Sequence, residues 1–386
     1  MVTHSFYESD NRVLRYAESL AERGDHVDVL ALRRSASLPR TQTINGVRLH
    51  RIQDRFAKGE GSRWSYLWPL LRFSAVTSKW LATPRKDRKY DLVHVHNIPD
   101  FLIFSAWPAR LRGSRLLLDI HDIVPEFFAS KFNADEQSRL VRGLKLMERA
   151  SGAFADHVIL ANDLWLPKYT ARSAAANKCS VFINYVDESV FRPREHRLQS
   201  RDPLIVFPGG LQWHQGLDIA IRAFSRLVRD LPTARFHIYG DGSAKTGLEE
   251  LVQRLGLSDH VKFFDPVSLG EVAGVMAGAD IGVVPKRADS FGNEAYSTKI
   301  MEFMSIGVPV VVSGTTVDRH YFDETVVRFF ESGNDEDLAN ALREVLTNQT
   351  LRESMVQRAR EYVQRNCWSQ HRLRYLQLID ALIDRP

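Results

Sequence analysis

The chain has 386 residues, a formal net charge of +5 and an apolar content of 44%. That length exceeds one ordinary core, so two domains of roughly 150–200 residues are expected, and the apolar content excludes a disordered chain. Two cysteines, Cys179 and Cys367, exclude a disulfide framework or a cysteine zinc site and suit a reducing cytosol, while the mild positive balance fits anionic substrates or a membrane face without requiring either.

Val2–Tyr7 reads as a short first strand, followed by polar residues through Arg12 and a helix pattern at Val13, Leu14, Tyr16, Ala17, Leu20 and Ala21 that Gly24 ends. His26–Leu32 is the next strand, so the chain opens as the first unit of a doubly wound sheet. No G-x-G-x-x-G is present, which weighs against a dinucleotide enzyme. Arg12, near the helix start, is a candidate to reach an anion.

Residues 55–89 interleave Trp64, Tyr66, Trp68, Phe73 and Trp80 with nine Lys/Arg against two acids. An interfacial helix beside an anionic bilayer reads this way. A core helix with a basic exterior reads this way too, and no nucleic-acid motif accompanies the charge. Tyr90–Asp100 is a strand running into a loop, Phe101–Arg110 a helix, and Arg115–Glu126 a buried strand ending in polar His121-Asp122. Ligands of open α/β sheets bind beyond strand carboxyl ends, which makes His121 a candidate for chemistry, with Asp122 as the residue to orient it. His94 and His96 alternate on one strand, and with no third metal ligand evident they are read as packing or loop residues. A helix at 138–150 and strands at 157–160 and 180–185 complete this half, and the Arg-rich segment from Asp187 to Pro203 reads as a linker.

The second half restarts with a strand at Leu204 and a two-glycine turn, Gly209-Gly210, where backbone N–H groups can approach a phosphate. A second strand runs into another glycine turn at Gly240, and Val261–Val267 is a short strand with its loop. Ala279–Pro285 is a buried strand with Lys286-Arg287 at its carboxyl end. The stretch from Asp289 to Val312 then combines a loop at Gly292-Asn293, a helix capped near Ser297-Thr298, a stop at Gly307 and a buried strand. Such a helix start offers unpaired amides and its positive dipole end to an anion, with Lys299 in the first turn and Glu294 and Glu302 on either side. Helices are expected at 335–346, 351–365 and 369–383. The D-x-D at Asp335–Asp337 reads as acids at a helix start and not as a metal site.

These features together resemble a retaining, nucleotide-sugar-dependent glycosyltransferase of the two-Rossmann GT-B type, close to family 4 (group 1). The motifs are the E-x7-E of Glu294 and Glu302, the double glycine, the strand-end His121-Asp122 and Gly307-Val-Pro-Val. The resemblance implies two Rossmann-like α/β domains facing across a cleft: an acceptor domain at 1–186, a linker at 187–203, a nucleotide-sugar domain at 204–365, and a C-terminal helix at 366–386 packing back on the first. It assigns Glu294 to the donor sugar, Glu302 to the ribose and the 295–298 amides (Ala295, Tyr296, Ser297, Thr298) to the diphosphate and sugar. Gly209 and Gly210 would line the phosphate site, Gly240 and Gln215 would lie beside it, Val267 would meet the base through its main chain, and His121 would stand near the anomeric centre.

Three departures qualify it. The family's Arg and Lys after the glycine turn are replaced by Leu211 or Gln212 and by Gln215, so Lys299, Lys286 and Arg287 are the candidates to meet the diphosphate charge. The usual E-G-F-G is Glu294-Ala-Tyr-Ser297. The N-terminal glycine-rich loop is Ser9-Asp-Asn-Arg12, and the first strand lacks its usual lead-in, which leaves the native start open.

The expectation is transfer of a sugar to a hydroxyl acceptor, a lipid-linked saccharide of bacterial surface polysaccharide, with no metal and no cofactor. A non-catalytic sugar-nucleotide-binding subunit and a sugar-nucleotide epimerase are the alternatives. No apolar run spans a bilayer and no signal peptide is evident, so the place expected is the cytoplasm, or the inner face of the plasma membrane reached through residues 55–89.

Overall fold

A computed structural model describes residues 1–55, 63–83, 89–131, 135, 137–193 and 202–384, with the side chains of 63–66, 130, 131 and 269 excepted. Within the basic stretch, Lys58, Arg85, Lys86 and Arg88 and the side chains of Arg63, Trp64 and Tyr66 therefore lie outside the described residues, as do residues 194–201 of the linker. The chain divides into two compact units, Met1–Asn184 with Arg372–Pro386, and Tyr185–His371.

The strands of the first unit are β1 (Asp28–Arg33), β2 (Thr41–Ile44), β3 (Val47–Asp54), β4 (Leu92–His96), β5 (Arg115–Ile120), β6 (His157–Leu160) and β7 (Cys179–Val181). All pairs are parallel except the β2–β3 hairpin. Val2 bridges Leu30 of β1 and Val95 of β4, joining the two parts of the sheet. The expected first strand is thus shorter than read: Met1, Val2, Thr3 and Ser5 exchange main-chain hydrogen bonds with β1 and β4, and the chain then turns into a 3-10 helix at Tyr7–Ser9. The helix Asn11–Arg23 follows, its first turn capped by Asp10 Oδ1 accepting from the Val13 N–H at 3.2 Å and its end closed by Gly24 at φ 102°. β5 stops at Ile120, and the residues read as its continuation form a helix, Val124–Lys131. In the final helix, Trp368–Ile383, Tyr375 is fully buried and stacks on Tyr16 with centroids 4.2 Å apart, so residues from Arg372 onward complete the first unit's core.

In the second unit, β8 (Leu204–Pro208), β9 (Arg235–Tyr239), β10 (Val261–Phe264), β11 (Ile281–Val284), β12 (Val310–Ser313) and β13 (Arg328–Phe330) form one parallel sheet ordered β10-β9-β8-β11-β12-β13. Successive residues of each strand feed opposite faces. Phe207, Val283 and Val311 join a core with Phe224 and Leu342, while Val206, Val284, Val310 and Val312 join one with Met301 and Phe303. The order reverses between β8 and β11. That is the topological switch point, and ligands of doubly wound sheets bind beyond the carboxyl ends of the strands there.

Candidate functional site

The switch point of the second unit brings the glycine turn and the helix Thr298–Ile306 together. After β8, the Gly209 N–H donates to Tyr239 O at 2.8 Å. A Cβ on Gly209, which sits at φ 146°, would lie 2.4 Å from Lys299 Cε, and one on Gly240 would lie 1.8 Å from Gly209 O. Gly240 is therefore required by close approach to backbone, and Gly209 by its positive φ, since the Lys299 side chain above it is flexible. Lys299 Nζ donates to Gln215 Oε1 at 3.4 Å and stands 5.3 Å from the Phe207 ring centroid.

The helix starts at Ser297, whose backbone is extended and whose side chain makes no cap hydrogen bond, and it ends at Gly307 at φ 91°. The Ile300 amide donates to Ser297 O at 3.3 Å, and the cap hydroxyl leaves the earlier first-turn amides to another acceptor. The preceding loop is held by its own side chains. Asp289 Oδ1 accepts from the Gly292 N–H at 2.6 Å, and Asn293 Oδ1 accepts from the Thr316 N–H at 3.0 Å.

Several sequence candidates occupy other places. Lys286 is buried and donates to Ala295 O at 2.6 Å, with Asp318 Oδ2 at 2.9 Å, so it anchors the loop and does not face a phosphate. Arg287 donates to both Asp218 oxygens, at 2.6 and 2.7 Å, and covers the Trp213 ring at 3.6 Å. The Ala295 amide donates to Phe291 O at 2.8 Å, which removes it from the expected phosphate set. The Tyr296 ring meets Tyr321 edge-on and its hydroxyl is buried, so it packs and does not supplement the amides. Ser297 is buried, while Thr298, Gly210, Gln215 and Val267 are partly exposed around the turn and its neighbouring loop. Glu294 and Glu302 are both half-buried.

The electrostatics separate the three cations. Burial lowers the Lys286 ammonium pKa and the Asp318 carboxylate opposes that shift. Burial also lowers the Lys299 pKa, against the Glu302 charge and with the help of Lys286. Lys286 and Arg287 are ion-paired, whereas the hydrogen bond of Lys299 runs to a neutral amide.

In the first unit, His121 follows β5. Asn97 Oδ1 accepts its N–H at 2.7 Å, and its Nε2 lies 3.1 Å from Asp119 Oδ2. The orienting carboxylate is Asp119, near the end of β5, and not the adjacent Asp122. Asp119 also stands in register with His96 across β4–β5, and His94, His96 and Asp119 place ligand-type atoms within 4.8 Å of one another. The third polar partner of the two histidines is thus present; the D-x-H spacing beside H-x-H was the signal for it. Arg12 is buried against this group, its Nε 2.7 Å from Asp119 Oδ2 and an Nη 2.7 Å from Oδ1, so it holds Asp119 instead of reaching an anion. Burial raises the carboxyls of Asp122 to about 6 and of Asp100 to about 7; Asn97, which donates to Asp100 at 2.7 Å, partly opposes the second shift.

Residues 9–185 match the glycosyl transferase 4-like domain, and residues 191–362 match the glycosyl transferases group 1 domain. The chain belongs to the group 1, family 4 glycosyltransferases of GT-B fold. D-inositol 3-phosphate glycosyltransferase of Thermomonospora curvata is 27% identical over 348 residues, covering 83% of this chain and 77% of that protein. Among solved structures, HepE of Anabaena in complex with UDP-glucose aligns with a TM-score of 0.75 at 16% identity over 98% of each chain. WaaG, a glycosyltransferase involved in lipopolysaccharide biosynthesis, aligns at 0.73 and 17% identity over 100% of this chain and 99% of that one. These two likenesses show the fold. In this glycosyltransferase the glycine turn, Lys299 and the E-x7-E helix lie in the group 1 domain, and the Arg12–Asp119–His121 cluster lies in the 4-like domain. Among its described residues no helix is long and apolar enough to cross a membrane.

Proposed function

We propose that this enzyme moves a sugar from a nucleoside-diphosphate sugar to a hydroxyl acceptor with retention of anomeric configuration and without a metal ion. The observation that carries the reading is Lys299, whose ammonium comes over Gly209 and beside Gln215, the position where the family has a lysine. Lys299 would supply at the glycine turn the charge that the family's lysine supplies. The diphosphate would lie against Lys299, the Gly209-Gly210 turn and the first-turn amides of the helix Thr298–Ile306. Glu302 would take the ribose hydroxyls, Glu294 the donor sugar, and the Val267 main chain the base.

In the reaction, the bond between C1 and the phosphate oxygen breaks, and the acceptor oxygen bonds to C1 on the same face. The acceptor proton passes to the departing phosphate oxygen. Preorganised positive groups at that oxygen lower the barrier without reorganising during the step. UDP-glucose bound by the HepE structure supports a nucleotide-sugar donor.

A lipid-linked saccharide is the proposed acceptor. The lipopolysaccharide role of WaaG supports a surface glycan. The helix Arg63–Ala82 supports a bilayer contact, since Trp68 is 63% and Leu71 43% exposed beside an exposed Arg72. Trp68→Ser with Arg72→Ser should reduce binding to vesicles containing phosphatidylglycerol, and unchanged binding removes the membrane part of the reading. The function itself is tested by a melting panel of UDP-, GDP- and ADP-sugars followed by release of nucleoside diphosphate. A donor that raises the melting temperature, with release only when acceptor is added, is expected. Binding without release under any acceptor would mark a non-catalytic subunit, and no stabilisation by any donor would refute the proposal.

A further inference from the structure

Asp119 is completely buried and is surrounded by groups that can only be donors toward it. Arg12 occupies both of its oxygens. The remaining Arg12 nitrogen donates to Ile183 O at 3.2 Å and Asn184 Oδ1 at 3.1 Å, which fixes the guanidinium from its far side. His96 Nδ1 lies 3.0 Å and His121 Nε2 3.1 Å from the same Oδ2. An ionised carboxylate only accepts, so the nitrogen each ring turns to it carries the hydrogen.

The rest of the cluster agrees with this proton arrangement. Arg12, and after it His121, hold the Asp119 carboxyl well below the usual range even though burial, the largest effect, pushes the other way. His96 Nε2 is buried with no hydrogen-bond partner, which a lone pair tolerates and an imidazolium N–H does not. His96 is therefore neutral, and burial lowers its pKa accordingly. His94 also stays neutral, its Nδ1 3.2 Å from the Tyr375 hydroxyl. The largest positive contribution opposite Asp119 comes from Arg12. A divalent cation among these ligands would meet that guanidinium at contact distance with its carboxylate already taken.

We propose that Asp119 is a positioning residue that fixes His121 as its Nε2–H tautomer and so leaves Nδ1 as a hydrogen-bond acceptor for a substrate hydroxyl. The tautomer follows from the cluster alone, while the identity of the hydroxyl, on donor or acceptor sugar, rests on the glycosyl-transfer reading. His121 is suited to this task. Its side chain keeps 20% of its surface exposed while its partner Asp119 has none, and Asn97 pins its backbone. The imidazole then orients a hydroxyl by accepting its hydrogen bond and needs to take no proton. His96 Nδ1, 3.1 Å from the same His121 Nε2, packs against the ring at the atom that faces Asp119.

Long-range proton–nitrogen correlation spectra of the full chain, labelled with 15N-histidine and assigned with His121→Gln, test the tautomer without altering the cluster. The pattern of an Nε2-protonated ring at neutral pH is expected for His121. An Nδ1-protonated ring, or averaging between the two tautomers, overturns the proposal whether or not a donor has been found. The functional half is read with Asp119→Asn, whose amide can turn N–H toward the ring and reverse the tautomer. Transfer should fall by roughly 10–100-fold, with the donor KM changed less than about twofold. A reversed tautomer with unchanged kcat would show that the positioning serves no catalytic purpose. Loss of donor binding in the wild-type chain would instead count against the transferase reading.

Discussion

Replacing Lys299 by Met keeps the aliphatic stem over the Phe207 ring and removes only the charge at the glycine turn. A unit charge at about 4 Å from a phosphate oxygen, at an effective dielectric near 20, interacts by about 4 kcal/mol. Dehydration of both groups offsets part of that, and charge-assisted hydrogen bonds typically retain about 1.5–3 kcal/mol. Affinity for a nucleoside diphosphate should therefore fall by roughly 10- to 150-fold. Calorimetric titration with UDP, GDP and ADP, each beside its nucleoside, measures this directly, since a nucleoside carries no phosphate for the ammonium to meet. Adding Gln215→Lys to the variant should recover part of the loss, because Gln215 Oε1 lies 3.4 Å from the ammonium being removed. The same substitution should leave the melting temperature unchanged or raise it. The Lys299 pKa is lowered in the folded chain by burial, so its charged form costs stability at neutral pH, and that cost disappears only as pH rises through the folded pKa. An equal loss of affinity for nucleoside and diphosphate, or none for either, would refute the placement of the diphosphate.

The first unit carries further tests. Asp100 has its carboxyl raised by burial from 3.8 to about 7, so the folded state holds a proton that the unfolded chain loses, and stability declines as pH climbs across that interval. Asp100→Asn should abolish this decline, so that wild type loses about 3–4 kcal/mol relative to the variant between pH 4 and 8 in urea unfolding; parallel profiles would contradict it. Arg12→Met leaves Asp119 buried and uncompensated, which should destabilise the first unit by about 3–5 kcal/mol while nucleoside diphosphate affinity stays at the wild-type value. A selective loss of nucleotide would restore Arg12 to the binding set. Gly240→Ala forces a Cβ to within 1.8 Å of Gly209 O, so diphosphate affinity should drop and the second unit should melt earlier; wild-type binding would show that the turn can yield.

The helix and strand around the E-x7-E were legible because local chemistry and tertiary packing agree there. Ile300, Met301, Phe303 and Met304 are all buried, and Gly307 takes the left-handed conformation that ends the helix. Elsewhere the local pattern misled. Ser5-Phe6-Tyr7 looks like strand, yet Tyr7 enters a 3-10 helix, and the main-chain bonds of this segment to β1 and β4 involve only Met1, Val2, Thr3 and Ser5. The β2–β3 hairpin turns on Asn45-Gly46, both at positive φ, the dipeptide that marks a two-residue hairpin turn. At the sites, the glycine turn and the pair of glutamates could be found from spacing. The partner of Arg12 could not, since Asp119 is 107 residues away and nothing local marks the pair.

That failure has a common physical form. Arg12, Lys286, Arg287 and Lys299 all follow strands or start helices at the ends where anions bind, and by sequence they are equivalent cations. Folding separates them by what stands opposite. A cation taken out of water needs a carboxylate, and Asp119, Asp318 and Asp218 supply one to the first three. Lys299 is drawn into the same kind of environment against an amide oxygen and an aromatic face, and burial lowers its pKa as it lowers that of Lys286. A partly dehydrated ammonium held over a glycine backbone is a group whose stabilisation comes from a ligand and not from the chain. Loss of the family lysine at Gln215 is tolerable for the same reason, because the diphosphate needs a fixed positive charge at that point in space and is indifferent to which segment of chain delivers it.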